Sequence, residues 1–410
     1  MRTRRTHRSP WRVLRSQRNE TPDAERHPPP HSTTAALHPS GSDAGVDAVI
    51  TNSDILVQIA RESALASGAP AFPDQRVAAE LRRLYGLRGQ LTRIPTEKDD
   101  TFRLATTAGH FLVKIAPASE SARIVNLQSA VMLHLEESAE PIPAQRLIRG
   151  LRGQIESTVV DPDGNARILR VLSYLEGSLL ATAQPTPAQF AGVGAMLARL
   201  DRSLSDFAHP EDSRLLIWDL KNFSHMRPLL EWVTDRDDVT MATWIFDQFD
   251  AYVAPRIVDL DTQMIHGDFS PFNVVVDPAS EEFVTGIIDF GDVVRSPIVF
   301  ELSVAVANQI GADEQRPWAS ALDIVRGYQR ERPVTDDEVG LLAITGPARL
   351  LLRALIFGWR AALHPDSRDY GLSHSALDWN RLRCAMSVAT PTIEALLTST
   401  GTPASPTGRE

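Results

Sequence analysis

The chain carries one cysteine, Cys384, in 410 residues. That excludes an internal disulfide and any cysteine-based zinc site. Cys384 reads as a small residue on a C-terminal helix, and a reducing cytoplasm is the expected location. Long apolar runs are also missing. The longest candidate, around Leu341–Leu363, is interrupted by Pro347, Arg349, Arg353 and Arg360, so no membrane span is expected. No G-x-x-x-x-G-K-[ST] loop occurs. A positive balance is absent too: the net charge is −10, and residues 1–50 hold eight Arg against five acidic residues. The remainder is therefore strongly acidic. That argues against nucleic acid as the main partner and suits a small cationic one.

What is present divides the chain. Residues 1–52 are rich in Arg, Pro, His, Ser and Thr and show no apolar periodicity, so an Arg/Pro-rich disordered leader is expected. No apolar core of a secretory signal follows the early arginines. The polar residues 401–410 read as a disordered tail. Between them, a chain that is 43% hydrophobic and 23% charged overall can bury a core. The expectation is a β-rich part over 53–176 and a mainly helical part over 177–400.

The stretch Met264–Asp292 holds two apolar runs, Phe272–Val276 and Phe283–Phe290, around the turn chemistry of Asp277-Pro278-Ala279-Ser280. Both runs are rich in Val, Ile and Phe, and an antiparallel hairpin is predicted. Pairing Val276 with Phe283 would set Asn273 opposite Gly286 and Ser270 opposite Asp289. Asp268, Asn273 and Asp289 then converge at one end of the hairpin. Asn273 and Asp289 offer the hard oxygens that Mg²⁺ takes. Asp268 is spaced to accept a proton from an attacking hydroxyl. His266-Gly267-Asp268-Phe269, then Asn273, then Asp289-Phe290-Gly291, has the spacing of kinase catalytic and metal loops, with Gly267 where protein kinases carry Arg.

Upstream, Asp54–Ala66 and Pro73–Tyr85 read as helices, the second capped by Gly86. Gln90–Ile94, Thr101–Thr106 and His110–Ile115 read as strands, and Leu112 and Lys114 share one face of the third. Lys114 suits a phosphate contact. The loop before Thr101 contains no glycine, so phosphate contacts there would fall to backbone N–H groups, Thr96, Lys98 or Thr101. Glu120–Glu137 reads as a helix whose apolar stripe includes Gln128, placed to orient Lys114 by a hydrogen bond. Gln154–Val160 and Ala166–Tyr174 form a second hairpin. It ends in a linker at Ser173–Gly177, where Tyr174 and Leu175 can meet a nucleobase. Helical spacing follows over Gln189–Phe207, Ser224–Thr234, Thr240–Asp259, Val299–Gln309, Ala319–Arg330, Asp336–Leu363 and Ser375–Leu397.

These motifs resemble the aminoglycoside phosphotransferase family. The resemblance rests on Ile-His-Gly-Asp-Phe-Ser-Pro-Phe-Asn at 265–273, Ile-Ile-Asp-Phe-Gly-Asp at 287–292, and Lys114. Within that family the chain is most similar to the hydroxylysine-kinase-like amino-alcohol kinases. That likeness rests on Thr96–Arg103, on Phe207-Ala208-His209-Pro210 with Trp218-Asp219-Leu220, and on Val293 after Asp292. The resemblance implies an α+β, bilobal protein-kinase-like fold, with a small β-rich N-terminal lobe and a larger helical one. It implies Asp268 as catalytic base, Asn273 and Asp289 on Mg²⁺, Lys114 on the nucleotide phosphates, and ATP or GTP as co-substrate. His266, Gly267, Phe290 and Gly291 would be structural parts of the site. Thr101 stands where Asn is expected, and Gln128 where broader kinases have Glu.

For the acceptor, Asp292, Glu301 and Asp219 are candidate partners for an ammonium. Trp218 is a candidate stacking surface and Arg349 a bidentate partner for a carboxylate. An amino acid bearing a hydroxyl would use both kinds of contact. Aminoglycoside, homoserine, choline or ethanolamine acceptors, or a nucleotide-binding pseudokinase, are the alternatives.

Overall fold

The computed structural model describes residues 52–63, 71–96, 98–363 and 368–401. The leader expected at 1–52 and the tail at 401–410 lie outside the described residues, save residues 52 and 401. Two helices come first, α1 (Asn52–Glu62) and α2 (Asp74–Tyr85). α2 ends where Gly86 adopts φ 69°, a left-handed cap that donates its N–H to the Arg82 carbonyl.

Five strands then build one antiparallel sheet: β1 (Gln90–Ile94), β2 (Asp100–Thr106), β3 (Gly109–Ile115), β4 (Ser157–Val160) and β5 (Ala166–Ser173), in the order β1-β2-β3-β5-β4. Between β3 and β4 lies α3 (Ala122–Glu137), capped by Ser121. Strand alternation sorts the side chains. Phe102, Leu104, Val113, Ile115, Leu169 and Val171 turn to one face and pack with Val77, Leu81 and Tyr85 of α2. Each such buried apolar side chain stabilises by about 1.5–3 kcal/mol. The other face carries Leu112 and Lys114, and Leu112 packs against a second, larger core.

That larger core begins in α3 and runs through the helices that follow. A short strand β6 (Ser178–Leu179) leads to α4 (Pro187–Ser203), which has a full capping box between Thr186 and Gln189. The expected helix at Ser224–Thr234 is a 3₁₀ stretch, Leu220–Trp232, with Pro228 inside; proline removes the N–H that an α-helix needs there. α5 (Arg236–Tyr252) starts on the Asp235 cap, and a separate 3₁₀ turn, Ala254–Asp259, follows it. Then come β7 (Thr262–Ile265), β8 (Val274–Val276), β9 (Val284–Ile287) and β10 (Val294–Pro297). β7 and β10 pair with each other, and β8 is flanked by β6 and β9. The remaining helices are α6 (Ile298–Ala307), α7 (Ala319–Glu331), α8 (Asp336–Leu363), α9 (Arg368–Met386) and α10 (Thr390–Thr398). The single terminal helix expected over Ser375–Leu397 is thus two. Ser387 turns its hydroxyl back to the Cys384 carbonyl, and Pro391 opens α10.

The stretch Asp336–Ala362 is long and apolar enough to cross a membrane, but 89% of its most apolar window is buried inside the protein. It is a core helix.

The expected central hairpin exists with a different register. Val274 pairs with Ile287, Val275 with Gly286 and Val276 with Val284, with a bulge at Val275/Val276. Phe283 takes φ 57° and leaves the ladder. Phe283 leaving the ladder shifts the pairing by one residue and the bulge shifts it by one more. Asn273 therefore sits just before β8 and accepts the Ile288 N–H at 2.9 Å, not opposite Gly286.

Candidate active site

Despite the changed register, Asp268, Asn273 and Asp289 meet. Asp268 follows β7, on a loop that closes on itself: Ser270 donates its N–H to the Asp268 carbonyl at 2.7 Å. The Asn273 amide donates to the Asp268 carbonyl at 2.9 Å and to its carboxylate at 2.6 Å. With its nitrogen so committed, Asn273 has its amide oxygen to offer. Removal from water, reinforced by Asp292, pushes the Asp268 carboxyl up to about 7, against the pull of Arg349. His266 is fully buried and pushed down to about 4 by that burial. It is neutral, with Nε2–H donating to the Ile288 carbonyl and Nδ1 accepting the Asp268 N–H.

Gly267 has φ +78°, and a Cβ there would stand 2.3 Å from the Asp292 carbonyl. That accounts for glycine at this position. Its N–H donates at 2.8 Å to Glu301, which is fully buried on α6. Glu301 therefore corrects an expectation. It has no surface for a substrate ammonium and instead fixes the backbone beneath Asp268. Asp219 is a second correction. Its side chain caps the 3₁₀ stretch at Lys221 and takes the Ser296 hydroxyl at 2.8 Å, with the carboxylate shielded from water.

Behind Glu301, Asp201 is buried against the Tyr328 hydroxyl at 2.7 Å, with Gln263 and Arg332 completing the group. Burial pushes Asp201 up to about 7. A carboxyl raised in the folded state favours folding below its unfolded pKa and loses that contribution as pH rises toward the folded value. Unfolding free energy in urea is expected to fall between pH 4 and 7 by at most on the order of 1 kcal/mol per unit from this group. Asp201→Asn should remove that slope; an unchanged slope would contradict the assignment.

Asp289 stands at φ 62° and accepts the Gly291 N–H at 3.2 Å, while its own N–H goes to Gln145. Lys114 of β3 reaches it at 3.0 Å across the cleft. The Lys114 charge holds the Asp289 carboxyl below the usual range. Burial disfavours the Lys114 ammonium, but Asp289 and Asp99 outweigh it and raise its pKa. Asp289 is the more open of the pair, at 45% side-chain exposure against 12% for Lys114.

Gln128 does not hydrogen-bond Lys114. Its oxygen accepts from Arg170 at 2.7 Å and its nitrogen reaches the Gly291 carbonyl at 3.5 Å. Of the loop candidates, Thr101 is buried and bonds Thr96, and Lys98 pairs with Glu120. Just past β5, Tyr174 meets His110 edge-on at 5.8 Å and carries the Arg103 guanidinium 5.1 Å over its ring. Leu175 lies against Gly286, where a Cβ would meet it at 2.7 Å. Both residues follow the last β3–β5 pair, Phe111 with Ser173.

On the acceptor side, Arg349 of α8 lies 3.9 Å from Asp268 and 5.4 Å over the Trp218 ring. Arg214, half-buried and absent from the expectations, donates to the Gly291 carbonyl at 2.5 Å and stands 4.0 Å from Asp292. Asp292 keeps 30% side-chain exposure, and its pKa is raised by burial. Gln145 and Asp99 carry no individual signal in the sequence: Gln145 lies in no motif, and Asp99 is one polar residue among several in Thr96–Arg103. Asn273 and Asp289 are the oxygens suited to Mg²⁺. Among the described residues no three His, Cys, Asp or Glu side chains gather as a metal cluster. Two protein oxygens fit a cation that keeps its waters and shares a nucleotide's phosphates.

A strand lysine facing a metal-loop aspartate, above a His-Gly-Asp loop anchored in a helical core, is the layout of a phosphotransferase with the protein-kinase-like fold. The chain belongs to the phosphotransferase enzyme family, whose sequence profile matches residues 90–336. It is similar to hydroxylysine kinase of Xenopus laevis, 23% identical over 358 residues that cover 82% of this chain and 95% of that protein. Among solved structures, a microcompartment-associated aminopropanol kinase superposes with TM-score 0.61 at 16% identity, covering 80% of this chain and 99% of that one. Amicoumacin kinase hAmiN, in complex with AMP-PNP, Ca²⁺ and Ami, superposes with TM-score 0.58 at 15% identity over 78% and 97%. The structural likenesses establish the shared α+β fold.

Proposed function

We propose that this phosphotransferase is a Mg²⁺-dependent kinase that moves the γ-phosphate of ATP or GTP onto a hydroxyl of an amino acid or amino alcohol, of the hydroxylysine type. The observation that carries the reading is the Asp268 carboxylate, oriented by Asn273 at 2.6 Å and flanked by Arg349 at 3.9 Å. With its pKa near 7, Asp268 is matched to taking a hydroxyl proton at neutral pH. In this reading Asn273 and Asp289 hold the metal, which neutralises phosphate charge in the reaction. Lys114 holds the nucleotide phosphates. Leu112, Tyr174 and Leu175 border the base. Arg349 and Asp292 supply a cation and an anion near Asp268 for the two charged ends of an amino acid, with Trp218 beside them.

Likeness to hydroxylysine kinase over most of both chains supports the acceptor class. Nucleotide consumption with Mg²⁺ across hydroxylysine, homoserine, ethanolamine, choline and kanamycin, with ATP and then GTP, tests it. Hydroxylysine should exceed ethanolamine in kcat/KM by about tenfold or more, the value of one good charged contact. Equal rates on ethanolamine would overturn the amino-acid part. No turnover with any acceptor, while nucleotide still binds, would overturn the kinase reading.

A further inference from the structure

The Lys114 ammonium is held by two carboxylates, not one. Asp289 Oδ1 is 3.0 Å away, and Asp99 Oδ2, from the loop between β1 and β2, is also 3.0 Å away. The Lys114 and Asp99 side chains are 12% and 14% exposed, so water competes little for this pair. In kinases a glutamate on the helix after the lysine strand takes this task. Here that helix is α3, its candidate is Gln128, and both ends of the amide are committed elsewhere.

Arg170 explains the exchange. It is the ladder partner of Lys114 on β5 and is buried. Its guanidinium takes the Gln128 oxygen at 2.7 Å and also reaches the Val125 carbonyl. A carboxylate at position 128 would face Arg170 first. The counter-charge for Lys114 then has to arrive from another element, and the loop before β2 provides it. That loop is fixed in place. Thr96 donates its hydroxyl to the Asp99 carbonyl at 2.5 Å, and Lys98 pairs with Glu120 just ahead of α3.

We infer that Asp99 is the positioning residue of Lys114, a loop carboxylate standing in for the helix glutamate of other kinases. The inference rests on the reading of Lys114 as the lysine that meets the nucleotide phosphates. Asp289 has a second task in that reading, as a metal ligand. Asp99 has no such division and keeps the ammonium aimed into the cleft. The same contact ties the segment between β1 and β2 to the lysine strand.

The opposite outcome is that Asp99 occupies the place of the phosphates and must leave before nucleotide enters. The full chain, Asp99→Asn and Asp99→Glu decide between the two. Nucleotide affinity is measured by displacement of a fluorescent ATP or GTP analogue in Mg²⁺, alongside kcat and KM for hydroxylysine and the melting temperature. Positioning predicts that Asp99→Asn weakens nucleotide binding by about 30-fold or more, the scale for breaking a shielded charge pair. The acceptor KM should stay within about threefold, and Asp99→Glu should recover part of the loss. Tighter or unchanged binding in Asp99→Asn overturns the inference while leaving the kinase reading intact. Equal losses in both variants together with a collapsed melting temperature also overturn it, in favour of a purely scaffolding role. A parent chain that binds no nucleotide overturns both.

Discussion

Asp268→Asn is expected to lower kcat by about 10²–10⁴-fold, with nucleotide affinity kept within about threefold. The amide has nearly the shape of the carboxylate and can still meet Asn273, which lies 2.6 Å away. What it lacks is a site for the hydroxyl proton. The buried supports below it, His266 and Glu301, bond to backbone and not to the Asp268 carboxylate, so the loop should hold its form. Steady-state rates with saturating acceptor, paired with a nucleotide displacement assay, give the two numbers. A kcat within tenfold of the parent would remove Asp268 from proton transfer.

The second large effect belongs to Asp289→Asn. Asparagine tolerates the left-handed backbone that Asp289 adopts at φ 62°, so loss of charge dominates over strain. Turnover should fall by about 10²-fold or more, because a metal ion on a phosphoryl oxygen contributes several kcal/mol. The Mg²⁺ concentration for half-maximal rate should rise in parallel. Lys114 keeps Asp99 as a carboxylate partner at 3.0 Å, so the β3 side of the cleft should survive the change. Mg²⁺ titration of the rate is the measurement. An unaltered Mg²⁺ requirement would assign the metal to other oxygens.

The parts of this molecule that announce themselves in sequence are those whose signal is local. The β1 range and the ends of the 28-residue helix α8 follow from alternation and periodicity alone. The spacing of Asp268, Asn273 and Asp289 survives even though the hairpin register does not, because the loop around Asp268 is closed by its own hydrogen bonds. The register shifts at Phe283, in its left-handed turn, and again at the Val275/Val276 bulge, and neither leaves a mark in composition. Glu301 and Asp219 show a different limit. An acid near a catalytic motif reads the same whether it faces the cleft or the core; only the Gly267 N–H and the Ser296 hydroxyl decide it. In sequence Gln128 points to Lys114 because its actual partner, Arg170, sits 42 residues further on, and long-range pairs of that kind carry no sequence pattern. Asp99 stands in a run of six successive polar residues, Thr96–Thr101, and the run does not say which of them faces Lys114.

The bond from Gly267 to buried Glu301 also sets how the two halves of the site are held. The backbone beneath Asp268 is tied to the core of the helical lobe: shifting it means breaking the Gly267 bond and leaving a buried carboxyl on α6 without that partner, at a cost of about 1–3 kcal/mol. Lys98 and Asp99, between β1 and β2, are joined to the body by the ion pairs Lys98–Glu120 and Asp99–Lys114, contacts of charged groups and not of packed apolar surface. A site built this way holds its two halves by contacts of different kinds: the Asp268 loop by a backbone bond into the helical core, and Lys114 by side-chain ion pairs with Asp99 and Asp289.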